Sequence, residues 1–206
     1  MSNLTYEFED RMDKLETYEW DNVWWEHADE EGTPRVLYIG DSISVATRRV
    51  ATATSENTIY FDGFGTSKAL DNPYFYDSVR IFAHQQGERC AVLFNNGLHG
   101  WHLDDESEYG KYYEEMIKFL ISEFEGTPVY LVLTSAVADP ERNERVVKRN
   151  AVALSLAEKY ALPVIDYYSI VNDHRDLICP DGVHLLPDGY KLLAERIVTE
   201  VKEVIK

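Results

Sequence analysis

A serine follows the first buried apolar run of the sequence. Residues 36–39 are apolar, Gly40 and Asp41 follow, and Ser42 precedes a stretch of helical character at residues 44–50. N–H groups at the start of a helix favour a developing negative charge, so a hydroxyl placed there can act as a nucleophile. Serine is also a good N-cap residue. Taken by itself, Ser42 is either a nucleophile or a helix cap.

An Asp-Gly-Val-His sequence near the end of the chain contains the kind of base that such a serine needs. His184 can take the hydroxyl proton. Asp181 can accept the other ring N–H across a tight turn that Gly182 allows, which would fix the tautomer and stabilise the imidazolium. The same four residues also suit a turn aspartate followed by a surface histidine. Their significance therefore depends on whether they meet Ser42.

Short apolar runs predict the strands that would bring these residues together. Runs rich in β-branched and aromatic residues, bounded by turn residues, are typical of strands buried on both faces. Five occur, at residues 36–39, 58–61, 91–94, 129–133 and 164–165. The second run is followed by Asp62 and Gly63, which predicts a glycine turn there.

Segments with helical periodicity lie between or after these runs, at residues 109–124, 141–160 and 187–205. Pro187 suits the first turn of the last segment. The alternation predicts a doubly wound α/β fold, in which ligands bind beyond the carboxyl ends of the strands. Ser42 and the Asp181–His184 pair would then lie at the same end of the sheet.

The first 34 residues are harder to interpret. Residues 6–31 contain Trp20, Trp24 and Trp25 among many acidic residues, and they could form a helix. We expect a single domain over residues 1–206, with residues 1–34 as a Trp-rich extension packed on the core or on the sheet edge. The aromatic cluster could instead cover the site or form a dimer contact.

Two blocks of sequence resemble the SGNH (GDSL-type) hydrolases. Residues 35–43, RVLYIGDSI, look like the GDSL block with Ile in place of Leu, and residues 181–189, DGVHLLPDG, look like the final Asp-x-x-His block. The resemblance covers roughly residues 35–205. It implies a three-layer α/β/α sandwich around a parallel five-stranded sheet with flavodoxin-like winding. It also implies a serine esterase with Ser42 as nucleophile, His184 as base and Asp181 behind it.

The same resemblance implies an oxyanion hole with three donors. The first is the N–H of Ser42, and the second is a glycine N–H after the second strand. Gly65 is favoured for the second because it precedes Thr66, a short polar residue, and Gly63 is the alternative.

The third donor in the family is an asparagine side chain, and here the sequence departs from the pattern. Residues 97–100, GLHG, put His99 at that position, and an imidazole N–H can also donate to an oxyanion. Asn95 and Asn96 are the alternatives. The Gly-Leu-His form resembles a subset of bacterial carbohydrate esterase-like proteins.

Other residues carry weaker signals. Asp41, Gly63 and Trp101 are predicted to contact substrate because they lie beside the three blocks. The histidines and aspartates of residues 99–105 match no standard metal spacing, so we expect no metal and no organic cofactor. Residues 141–149 are predicted to be a solvated, charged helix face.

Composition narrows the classes of partner. The chain has 206 residues and a net charge of −17, which disfavours nucleic acid and anionic membranes as partners. It has two cysteines, Cys90 and Cys179, and no basic or apolar leader, so we expect a cytoplasmic protein. The oligomeric state is left open.

These observations predict an esterase that hydrolyses carboxylic esters through an acyl-enzyme, with small acyl (acetyl) groups on carbohydrates as substrates. Two alternatives are a catalytically weak or silent ligand-binding protein on the same scaffold and a lipase or thioesterase.

Overall fold

The computed structural model describes residues 18–205, which form a sheet between two layers of helices. Within this range the sheet has six strands in the order β1-β3-β2-β4-β5-β6. Their bounds are β1 Asp21–Trp24, β2 Arg35–Gly40, β3 Tyr60–Thr66, β4 Ala91–Phe94, β5 Val129–Val132 and β6 Val164–Ile165. Strands β2 to β6 are parallel to one another, and β1 pairs antiparallel with β3 at the edge.

The helices occupy both faces of this sheet. Their bounds are α1 Ser42–Thr54, α2 Phe75–Gln86, α3 Glu106–Glu123, α4 Pro140–Tyr160, α5 Tyr167–Asp173 and α6 Pro187–Lys202. Alternate residues of β2 face opposite layers: Val36 and Tyr38 pack with α1, α5 and α6, whereas Leu37 and Ile39 pack with α2 and α3. A strand buried on both faces therefore needs a continuous apolar run, as the sequence has.

The predicted doubly wound α/β fold is confirmed, with the five parallel strands in the flavodoxin-like order. The runs at residues 91–94 and 164–165 match β4 and β6 at both ends. Two helices, α2 and α5, were not predicted from periodicity. No helix among the described residues is long and apolar enough to span a membrane.

The prediction of a glycine turn after the second apolar run, residues 58–61, is wrong. Strand β3 continues through Gly63 and Gly65 to Thr66. A Cβ atom on Gly63 would lie 2.2 Å from Nη1 of Arg48, and one on Gly65 would lie 2.2 Å from Cγ2 of Val45. Both glycines are therefore required because α1 packs directly against β3, and neither marks a turn.

The sequence allows a helix over residues 6–31, but part of this segment is a strand. Asp21–Trp24 forms β1, whereas residues 1–17 of the predicted extension lie outside the described residues. Trp25 stacks on Phe82 with ring centroids 4.7 Å apart, and the guanidinium of Arg49 lies 4.5 Å from the ring of Trp24. The single-domain assignment with residues 1–34 as an extension stays a prediction.

Candidate active site

Ser42 is the first residue of α1, and its hydroxyl is not used as the helix cap. The cap is Asp41, whose Oδ1 accepts the N–H of Ile43 at 2.9 Å. Asp41 is buried, and its carbonyl accepts hydrogen bonds from the Ser44 hydroxyl and the Val45 N–H. The capping is thus done by the preceding residue, which leaves the Ser42 hydroxyl available for other contacts.

His184 bridges Ser42 and Asp181. Its Nε2 lies 2.8 Å from Oγ of Ser42, and its Nδ1 lies 2.7 Å from Oδ2 of Asp181. The other carboxylate oxygen, Oδ1, accepts the N–H groups of Val183 and His184, each at 2.9 Å. Gly182 makes this turn possible because its φ of +79° lies in the left-handed region. The structure brings together the three residues that the sequence predicted as a set.

The pKa of Asp181 is lowered to about 2. The largest cause is the hydrogen bond from the Val183 N–H, followed by those from the ring and the N–H of His184. Asp181 is therefore a carboxylate at neutral pH, although half of its side chain is exposed. An ionised acceptor at Nδ1 keeps the proton on that nitrogen and leaves Nε2 able to accept the Ser42 proton.

Asp41 has a different electrostatic environment. Burial raises its pKa, while the neighbouring His99 and His184, in that order of size, act to lower it. Its Oδ2 is buried and accepts no hydrogen bond from the described residues. Asp41 thus lies close enough to both histidines for electrostatic interaction.

The two asparagines after β4 direct their amide groups to the main chain. Nδ2 of Asn95 donates to the carbonyl of Val132 at 2.8 Å. Nδ2 of Asn96 donates to the carbonyl of Lys68 at 3.0 Å, which ties the loop after β4 to the loop after β3. These bonds favour His99 over the asparagines as the third donor, and that role stays a prediction.

Gly65 borders the site, but its N–H lies in the sheet. The register pairs it with Asn22 of β1 and with Gly40 of β2. The N–H of Ser67 donates to the carbonyl of Trp20, and a regular antiparallel ladder repeats this bonding every second residue, so the N–H of Gly65 is directed at β1. A Cβ on Gly65 would lie 3.7 Å from the carbonyl oxygen of Asp41.

Sequence reasoning missed the role of Arg149. Residues 141–149 were predicted to be a solvated face, but Arg149 is only 2% exposed. Its guanidinium donates to four carbonyls of the loop that carries His99, namely His99 at 2.7 Å, Gly100 at 2.7 Å, Gly97 at 3.1 Å and Leu103 at 3.2 Å. The main chain on both sides of His99 is therefore held from α4.

Arg145, one turn earlier, strengthens the same attachment. Its Nη2 donates to the carbonyls of Trp101 and Leu103, each at 2.7 Å. The guanidinium carbons of Arg145 and Arg149 both lie 4.9 Å from the centre of the Trp101 ring. The i,i+4 spacing of these arginines was the available signal, since such residues share a helix face.

The other predicted residues lie in structural contacts. The open side of Gly63 is filled by Arg48, and the Trp101 ring lies against two guanidiniums, so their substrate contacts stay predictions. His102 pairs with Asp71 at 2.9 Å. In the described part of the chain, no group of three histidines, cysteines or acids is arranged to hold a metal ion.

Comparisons with known proteins place this arrangement in a known fold. No family model and no curated protein matches the sequence. Solved structures do match. A GDSL-like lipase from Bacteroides thetaiotaomicron is 18% identical, with a TM-score of 0.63 over 85% of this chain and 94% of that chain. The chain has the SGNH hydrolase fold.

Two further structures with this fold are an acetyl xylan esterase and a catalytic domain from Streptococcus pneumoniae. The esterase is 17% identical, with a TM-score of 0.64 over 81% of this chain and 99% of that chain. The second, the C-terminal domain of peptidoglycan O-acetyltransferase A, is 18% identical, with a TM-score of 0.64 over 84% of this chain and 95% of that chain. In each comparison the SGNH fold thus extends over most of this chain and most of the other chain.

Replacing Arg149 tests whether it positions the His99 loop. We expect Arg149→Met to slow the modification of Ser42 by methanesulfonyl fluoride about tenfold to 100-fold, because loss of four donors shifts the loop that carries His99. Arg149→Lys, which keeps the charge but not the fork of donors, should fall between this variant and the wild type. The measurement is the labelling rate by intact mass.

The melting temperature of each variant is recorded alongside. A lower melting temperature with an unchanged labelling rate at a temperature where all three proteins are folded would mean that Arg149 supports only the fold.

Proposed function

We propose that the protein is a serine esterase that hydrolyses carboxylic esters through an acyl-enzyme on Ser42. The observation that carries the proposal is the 2.8 Å contact between Oγ of Ser42 and Nε2 of His184, two residues 142 positions apart in sequence. A hydroxyl paired with an imidazole, which is itself paired with a carboxylate, is the arrangement that nucleophilic acyl transfer requires.

The reaction follows from these contacts. Oγ of Ser42 attacks the ester carbonyl carbon while Nε2 of His184 takes the hydroxyl proton. The imidazolium is stabilised by Asp181 and then gives its proton to the leaving alcohol as the C–O bond breaks. Water, deprotonated by the same nitrogen, attacks the acyl-enzyme and releases the carboxylic acid and free Ser42.

The oxyanion would form beside the start of α1. The N–H of Ser42 lies in the first turn of that helix, where N–H groups have no partner within the helix and the dipole favours negative charge. His99 is the second donor in this proposal, held by the Arg149 contact to its carbonyl. Gly65 contributes by having no side chain where the Asp41 carbonyl and α1 approach β3.

We further propose acetyl or other small acyl groups on carbohydrates as the substrates. Two proteins that share the fold support this choice, since one is described as an acetyl xylan esterase and the other as a peptidoglycan O-acetyltransferase. The half-exposed side chains of His184 and Asp181 also leave the alcohol side accessible to a bulky sugar. No metal or organic cofactor takes part in the steps above.

Ser42→Ala is the direct test of the proposed reaction. We expect hydrolysis of p-nitrophenyl acetate to fall about 1,000-fold or more, because the variant lacks the hydroxyl that forms the proposed acyl-enzyme. Ser155→Ala, which changes an exposed serine on α4, serves as the matched control and should keep wild-type activity. Equal and slow rates for wild type and Ser42→Ala would instead indicate a binding protein without turnover.

Asp181→Asn tests the orienting carboxylate. The asparagine oxygen can still accept the N–H groups of Val183 and His184, but its amide cannot accept the Nδ1 proton, so the wrong tautomer is favoured. We expect kcat for p-nitrophenyl acetate to fall about 100- to 10,000-fold with little change in KM. The matched control is Asp188→Asn, at an exposed position in the first turn of α6.

The pH dependence gives a second measurement on Asp181. Because the pKa of Asp181 is lowered to about 2, its carboxylate stays charged as the pH falls from neutral towards the usual pKa of aspartate. We therefore expect that titration of Asp181 does not lower the esterase activity in that pH range. A carboxyl titration of Asp181 by NMR with a midpoint near that of ordinary aspartate would contradict this assignment.

A further inference from the structure

The segment just before β1 is fastened to the end of β3 at the edge of the site. The N–H of Trp20 donates to Oγ of Ser67 at 2.8 Å, and the N–H of Ser67 donates to the carbonyl of Trp20 at 3.1 Å. The hydroxyl of Ser67 in turn donates to Oε2 of Glu19 at 2.9 Å. Trp20 is thus fixed at the main chain on both of its sides.

The next two residues extend this attachment. Asp21 accepts from Nζ of Lys68 at 2.6 Å and from Oγ1 of Thr66 at 2.6 Å. The side chain of Asn22 accepts a hydrogen bond from the buried Arg48 of α1. Residues 19–22 are therefore attached both to β3 and to the helix that begins at Ser42, which makes the position of Trp20 a fixed feature of the site.

The ring of Trp20 lies beside Gly65 and beside His99, one of the proposed oxyanion donors. Its Cζ3 is 3.6 Å from the position that a Cβ on Gly65 would take, and the carbonyl oxygen of Asp41 is 3.7 Å from the same point. The Trp20 ring also meets the His99 ring edge to face, with centroids 6.0 Å apart.

The directions of the reaction show which part of the substrate meets this ring. The leaving alcohol must lie next to Nε2 of His184, which gives it a proton, and that side is open to solvent. The carbonyl oxygen points to the Ser42 N–H. The acyl substituent then points away from His184, and the proposal below places it against the end of β3, where Trp20 and His99 meet.

We propose that Trp20 is the wall of the acyl pocket and restricts the acyl group to about the size of acetyl. This inference rests on the proposed esterase function and adds a cause for its acyl preference. The main chain of Trp20 is fixed and its ring meets His99, so the ring limits the room for further methylenes. In a tight apolar pocket one methylene changes kcat/KM by about 10- to 200-fold.

The test is a chain-length series of p-nitrophenyl acetate, butyrate and hexanoate. The wild type should prefer acetate. Trp20→Ala should raise the ratio of kcat/KM for hexanoate to that for acetate about tenfold or more, and Trp20→Leu should raise it less. Trp24→Ala is the matched control, because that ring lies over Arg49 on the exposed part of β1, and its ratio should equal that of the wild type.

A second probe separates failure of this inference from failure of the esterase proposal. Methanesulfonyl fluoride and hexanesulfonyl fluoride are compared for adduct formation on Ser42 by peptide mass, with melting temperatures recorded for each variant. The acyl wall is supported if methanesulfonyl fluoride labels the wild type faster than hexanesulfonyl fluoride does, and if this difference in rate is smaller in both Trp20 variants.

Two results would overturn the wall. One is an unchanged hexanoate-to-acetate ratio in both Trp20 variants while Ser42 is still labelled and acetate is still hydrolysed, which leaves the esterase proposal intact. The other is the absence of both Ser42 labelling and acetate hydrolysis in the wild type, which removes the esterase and the wall together.

Discussion

Helix α1 lies so close to β3 that two positions of the strand have no room for a Cβ atom. At Gly63 the space is taken by the Arg48 side chain, and at Gly65 by Val45. This approach fixes the height of the helix above the sheet and hence the position of its first residue, Ser42. Helix α1 also packs on α6, and the turn that contains His184 lies just before that helix. One helix that packs on both a strand and another helix thus sets both ends of the Ser42–His184 contact.

The electrostatics of the site depend on short contacts more than on burial. Asp181 is half exposed, yet its pKa is about 2 because two N–H groups and an imidazole bond to it within one turn. Asp41 is buried in the neighbouring turn, and burial raises its pKa. The pKa values of two carboxylates in the same site are therefore shifted in opposite directions, since hydrogen bonds to the charged form favour it and desolvation disfavours it.

The loop with His99 depends on a buried cation. Burying a guanidinium is costly unless its donors find acceptors. Arg149 offsets this cost by donating to four carbonyls of the loop. Its guanidinium carbon also lies 4.9 Å from the ring centre of Trp101 and 4.4 Å from that of Tyr109. The same bonds satisfy carbonyls that a buried loop would otherwise leave without partners. The loop needs α4 for its conformation, because it lacks regular structure of its own.

Local pattern was enough to predict the parallel strands, since strands such as β4 are apolar at every position because both faces are covered. It left the roles of Ser42 and His184 open, and the prediction of these residues as a set also needed the resemblance of two sequence blocks to the SGNH hydrolases. The extent of β3 was missed because glycine locally predicts a turn. Here the glycines lie within the strand because the side chains of α1 leave no space for a Cβ atom. The burial of Arg149 was missed for a related reason: its acceptors come from a loop about 50 residues earlier in the chain.

The edge strand β1 had no periodic signal at all, since four residues that are mostly exposed carry no clear alternation. Its place in the sheet is set by pairing with β3 and by side chains such as Asp21, which only the folded chain brings near Lys68. That pairing has a consequence for the site, because it makes Gly65 an interior residue of the sheet and brings Trp20 against it. In the proposed site, the residue just before this edge strand therefore covers one side with its ring. The His184 side has no such cover, and the two sides of the ester are met by surfaces of opposite character, one fixed and aromatic, the other open to water.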